Sequence, residues 1–78
     1  MTEPTFGGPA LLMPGDAIAT VRDIGPNQWE PATFLGYVTA RPTKNQNTGD
    51  YAVFVDSGLF PIRDTQTLAI WFGARSAD

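Results

Sequence analysis

Apolar side chains along this chain come in short runs separated by turn residues, and no run recurs at the three-to-four-residue spacing of an amphipathic helix. After Gly15-Asp16, the stretch Ala17-Ile18-Ala19-Thr20-Val21 is rich enough in β-branched residues to predict a first strand of about five residues. Gly25-Pro26-Asn27 is turn chemistry, and it leads to a second strand that begins near Trp29 or Ala32 and runs through Phe34-Leu35-Gly36-Tyr37-Val38-Thr39. Pro31 lacks the N–H that a ladder needs, which places its end of that strand at an edge or a bulge. Arg41 to Gly49 has no apolar side chain beyond its proline and reads as a mobile hairpin loop. Tyr51-Ala52-Val53-Phe54-Val55 is the clearest strand, and Asp56-Ser57-Gly58 is a tight turn into a short fourth one, Leu59 to Ile62. The Asp64 carboxylate suits a single 3₁₀ turn through Gln66, before a fifth strand from Thr67 to Phe72. Turn signals spaced roughly 8 to 12 residues apart are the pattern of a small barrel or sandwich.

Strict alternation leaves apolar residues on both faces of these strands. Phe34 and Val38 share one parity and Leu35 and Tyr37 the other; Tyr51, Val53 and Val55 oppose Ala52 and Phe54; Leu68, Ile70 and Phe72 oppose Ala69 and Trp71. A lone five-stranded barrel buries only its inner face, so the outer residues call for cover by the N-terminal arm, another subunit or a partner. Covering one outward Trp or Phe contributes about 2 to 3 kcal/mol, a large share of the stability of so small a domain. Parity therefore predicts a homo-oligomer or a constitutive partner. Pro4, Pro9, Pro14 and the pair Gly7-Gly8 make residues 1–14 an irregular arm, whose Phe6 and Leu11-Leu12-Met13 are apolar enough to dock on the domain. The barrel is assigned to residues 15–72, and 73–78 is read as a flexible tail.

Length and composition narrow the choices. With 78 residues the chain holds one domain, and it contains neither cysteine nor histidine. Disulfides, thiolate or imidazole metal sites and histidine-dependent catalysis are excluded, which leaves self-association as the usual reinforcement of a small core. A chain without cysteine fits a reducing cytoplasm. Eight acids against five bases give a net charge of −3, with the bases dispersed, so the chain is a poor ligand for nucleic acid. No apolar stretch approaches the roughly 20 residues that cross a bilayer, and no secretory signal is visible.

The order of a Gly15-Asp16 start, Trp29 leading into the second strand, a Tyr51-Ala52-Val53 strand, the Asp56-Ser57-Gly58 turn and a short strand before a 3₁₀ turn resembles the SH3-like barrel superfamily. Within it the chain is most similar to the plasmid-borne type II dihydrofolate reductases, over roughly Gly15 to Ile70, with Gly36-Tyr37 matching their Gly-aromatic step. The resemblance implies an all-β, five-stranded SH3-like barrel with an irregular N-terminal arm, and an origin on a phage, plasmid or other mobile element. Those reductases carry a Val-Gln-Ile-Tyr segment on the fourth strand, which four subunits bring to a central pore for folate and NADPH. Here that segment reads Phe60-Pro61-Ile62-Arg63, with only the isoleucine kept. Pro61 offers no donor in place of the glutamine, and Thr20 stands where the family has a lysine. The resemblance thus carries the fold and leaves the activity behind.

Six residues are candidates for ligand contact: Trp29, Tyr37, Tyr51, Phe60, Ile62 and Arg63. Trp29, Tyr37 and Tyr51 could form a Tudor-like cage for a methylated cation, although a small barrel also needs such side chains for its interior, and the interior reading carries more weight. Arg63 could hold a carboxylate or phosphate in its planar fork, or pair with a nearby surface acid, which is the commoner use. Turn geometry accounts for Asp16 and Asp56, and no carboxylate pair is placed for acid-base work. The expectation is a non-catalytic module, without cofactor or metal, that self-associates and binds a protein or small ligand through aromatic surface. Its alternatives are a reductase-like pore enzyme at Phe60 to Arg63 and a Tudor-like reader.

Overall fold

A computed structural model describes residues 3–74 of the chain; Met1, Thr2 and most of the expected tail lie outside the described residues. The all-β class holds, with β1 at Thr5–Gly7, β2 at Ala17–Gly25, β3 at Gln28–Tyr37, β4 at Thr43–Lys44, β5 at Asp50–Val55, β6 at Gly58–Arg63 and β7 at Leu68–Trp71. Seven strands replace the expected five. The two additions, β1 and β4, are three and two residues long. They form because a neighbouring edge offers backbone partners, and they are too short for side-chain alternation to announce them. The arm also contains a 3₁₀ turn, Pro9–Leu11, whereas Asp64 sits in a plain turn closed by the Gln66 N–H donating to the Arg63 carbonyl at 3.0 Å.

The expected closed barrel is not formed. The strands make two antiparallel sheets, in the orders β1-β7-β2-β3 and β4-β5-β6. They meet where β3 ends. Val38 bridges Val55. Beside this bridge the Thr39 N–H donates to the Phe54 carbonyl at 2.9 Å, and the Asp56 N–H to the Tyr37 carbonyl at 3.0 Å. Apart from this junction no ladder joins the two sheets among the described residues. Between them lies a core built around Ile18, Val53, Leu68 and Ile70, with Leu12 of the arm reaching into it and Leu35, Tyr51 and Phe60 packed at its margin. Leu11 and Met13, also expected to dock, remain exposed.

A bulge in β3 decides which side chains enter that core. Ile18 of β2 pairs with Gly36 but Ala19 pairs with Phe34, so Leu35 is an extra residue that resets the alternation. Strict parity puts Phe34 with Val38 and Leu35 with Tyr37. Instead Leu35 and Val38 pack in the core, while Phe34 and Tyr37 meet edge-on at 5.5 Å between ring centroids. Gly36 sits at φ +136°, a conformation that L side chains rarely adopt, and the Asp56 carboxylate occupies the space a Cβ would fill. Its Oδ1 accepts the Tyr37 N–H at 3.1 Å, and the Ser57 hydroxyl donates to the Leu35 carbonyl at 2.8 Å. The β5–β6 turn therefore clamps the bulge. A second irregularity, between Ala19 and Val21, is bridged by Thr20, whose Oγ1 accepts the Thr33 N–H at 2.9 Å.

Asp16 ties the ends of the domain together. Only 3% exposed, it accepts the Met13 N–H at 3.0 Å and, 57 residues away, the Gly73 N–H at 2.7 Å. The loop read as mobile is folded on itself around Asn45, whose side-chain oxygen accepts the N–H groups of Asn47 and Thr48 at 2.9 and 3.3 Å. Between β2 and β3, Pro26 presets the first turn position and Asn27 takes the left-handed one at φ 56°.

Two substitutions test this architecture. Gly36→Ala combines about 1 to 3 kcal/mol of backbone strain with a collision against Asp56, and should lower the thermal midpoint by roughly 10 °C or more. A midpoint within a degree or two of the parent's would show that the bulge is not held as described. Asp16→Ala removes the acceptor of two part-buried amide hydrogen bonds and should cost about 1 to 3 kcal/mol, read as a lower urea midpoint at unchanged slope.

Candidate functional site

Backbone register assembles one face of the larger sheet row by row. Phe6, Ala69, Ala19 and Phe34 lie side by side across β1, β7, β2 and β3, and the adjacent row is Trp71, Ala17 and Tyr37. Directly opposed residues in antiparallel strands point to the same side, and Ile18 and Ile70, of the other parity, point into the core. These rows therefore form the outer surface of the sheet. At its centre Ala17, Ala19 and Ala69 are no more than 2% exposed, although nothing but aromatic side chains surrounds them in their rows. Buried methyl groups thus form the floor of rows that end in aromatic rings. The rings remain open to solvent themselves: Phe6 is 36% exposed and Phe34 55%, with Trp71 and Tyr37 half-buried.

The same face extends toward the β2–β3 hairpin, where Trp29 meets Phe6 at 6.4 Å between ring centroids. No residue of the two rows is charged. The nearest ion pair on the hairpin, Arg22 with Glu30 at 2.9 Å, is satisfied within itself. No cavity opens on the surface, and no group of metal-ligating side chains gathers among the described residues. The two rows make an uncharged aromatic surface, with Asp23 opposite Trp29 at its hairpin end, suited to stacking and apolar burial rather than to enclosing a reactant.

The six residues singled out from the sequence do not share one place. Trp29 and Tyr37 belong to this outer face. Tyr51, Phe60 and Ile62 point to the inner side of the smaller sheet, where Tyr51 pairs with Ile62 and Phe60 packs against the core. Arg63 lies opposite Asp50, with an exposed side chain. The rings considered for a cage are engaged apart from one another, Trp29 with Phe6, Tyr37 with Phe34, and Tyr51 beneath the Lys44 ammonium at 5.9 Å. The segment Phe60-Pro61-Ile62-Arg63 offers exposed Pro61 and Arg63 but spends Ile62 on the core.

Phe6, Phe34 and Trp71 are the members of the face that pattern reading did not single out as site residues. For Phe34 one signal existed, the lone Gly36 inside a strand, because an isolated glycine there marks a bulge. Phe6 joins the face through a strand too short to foresee.

Lys44 is also 3.7 Å from the Asp64 carboxylate, and both side chains are well exposed. Lys44→Ala should therefore change stability by less than about 1 kcal/mol, measured by urea denaturation; a larger loss would mean that this cluster organises the smaller sheet. Compared with protein families, curated proteins and solved structures, the chain has no significant match.

Proposed function

We propose that the chain is a non-catalytic association module, which self-associates and takes a protein or small ligand on the outer face of its larger sheet. The observation that carries this reading is the neutral aromatic layer over Ala17, Ala19 and Ala69. An acidic protein of net charge −3 repels its own copies, and rows without charges are where that repulsion is least. Phe34 already meets Tyr37 and Phe6 meets Trp29, so covering these rings costs less side-chain entropy than covering free ones. The backbone edges support the same conclusion. Pro31 lies in β3 and Pro61 in β6, both outer strands of their sheets, which discourages association by strand pairing at those rims.

The architecture is read as SH3-like. A long β2–β3 hairpin, a β3 that passes from one sheet to the other, a tight β5–β6 turn and a closing β7 beside β2 support that description. The face lies on the outside of such a fold and asks for no enclosed pore.

Phe34 makes the direct test, because its side chain is 55% exposed and contributes little to the core. Phe34→Ser should weaken self-association about tenfold or more in sedimentation equilibrium, as expected for loss of an interface aromatic worth about 1.4 kcal/mol or more, with the thermal midpoint nearly unchanged. A parent protein that stays monomeric at millimolar concentration would defeat the self-association reading.

A further inference from the structure

The edges of the two sheets are not guarded alike. Pro31 and Pro61 sit in β3 and β6, and Pro42 directly precedes the two-residue β4. Strand β7 contains no proline, and Leu68, Ala69 and Ile70 are all buried. One of its sides pairs with β2, and the other is covered only by β1, in the register Thr5 with Ile70, Phe6 with Ala69 and Gly7 with Leu68. That cover is slight. Thr5 and Phe6 are exposed, and the ring contact of Phe6 is with Trp29.

β1 ends at Gly7, where an added Cβ would meet nothing within 4 Å, and Gly8 follows, where an added Cβ would stand 3.1 Å from the Asp64 carbonyl oxygen. The chain is next anchored at Pro9, fully buried, and at Leu12. N-terminal to that anchor, β1 is held by the β7 edge and the Trp29 ring, and Gly8 backs onto the turn at Asp64. Gly8, extended at φ −83°, is the one residue at which the strand can turn away from the anchor.

We propose that the β7 edge is a strand-exchange site, in which Thr5–Gly7 of one copy lies along Leu68–Ile70 of a second copy, and the reverse. This rests on the self-association put forward above and names how two copies join. The exchanged strand makes the backbone pairing and the Phe6–Trp29 contact that it makes within one chain, so no new chemistry has to be found. Only Gly8 separates the exchanged strand from Pro9, so the Cα atoms of Gly7 and Pro9 lie at most about 7 Å apart and exchange requires the two β7 edges to lie next to each other about a two-fold axis. The aromatic rows, which end at Phe6 on this edge, then become continuous across the pair. Because closure within a chain competes at an effective concentration in the millimolar range, the exchanged form grows with protein concentration.

The absence of cysteine makes a clean test available. Full-length Phe6→Cys and Ala69→Cys chains are unfolded and refolded together at high concentration, oxidised, and separated without reductant; Phe6→Cys with Ala40→Cys, an exposed site off the edge, is the control mixture. Exchange predicts a disulfide between chains that joins the thiol introduced by Phe6→Cys to the one introduced by Ala69→Cys, identified by mass spectrometry and severalfold above the control pair. Light scattering of the parent chain is recorded alongside. A dimer that forms without this cross-chain disulfide overturns exchange and leaves self-association standing, whereas a monomer with no cross-link overturns both. If Ala69→Cys does not fold, Phe6→Cys paired with Thr67→Cys, one residue beyond the β7 register and half-buried, reads the same edge.

Discussion

The clamp on the β3 bulge governs the rest of the molecule. One extra residue at Leu35 turns Phe34 and Tyr37 to the outside together and sends Leu35 and Val38 inward, so the aromatic surface and the core are both set at one point. That geometry needs Gly36 at a positive φ, and it needs the Asp56 and Ser57 side chains to satisfy the backbone that the bulge leaves off register. Those groups arrive from the β5–β6 turn, 19 and 22 residues along the chain from the backbone atoms they bind. The hairpin made by β5 and β6 therefore holds in place a surface to which it contributes no ring.

Much of the fold was legible because β-branched and aromatic runs between turn residues signal strands whatever the tertiary context. The Tyr51 to Val55 strand, the Asp56-Ser57 turn and the hairpin turn at Pro26-Asn27 all follow from local chemistry. Several misreadings depend on partners distant in sequence, although the loop folded around Asn45 and the plain turn at Asp64 are local. Asp16 and Asp56 look like ordinary turn aspartates, yet each also binds an amide far along the chain, at Gly73 and at Tyr37. β1 and β4 exist only because an edge is waiting for them.

The candidate face was half legible. Apolar residues on both parities foretold an outer apolar surface, and the sheet has one. Its membership was not readable, since a bulge inverts parity for every residue beyond it and strict alternation carries the error forward. Trp29 and Tyr37 were found, whereas Tyr51, Phe60 and Ile62 went to the inner side with the alternation of their own strands. Arg63 stands on the opposite sheet, beside Asp50.

Small residues beneath large ones give this protein an adjustable layer. Phe6, Phe34, Tyr37 and Trp71 flank the buried methyl groups of Ala17, Ala19 and Ala69 in their rows, so the relief of the aromatic surface is open to change from below. Each methylene added to that floor would lift a ring outward, and the relief of the surface could change while every exposed residue stayed the same. Such a face can drift from one contact shape to another by substitutions that solvent never touches.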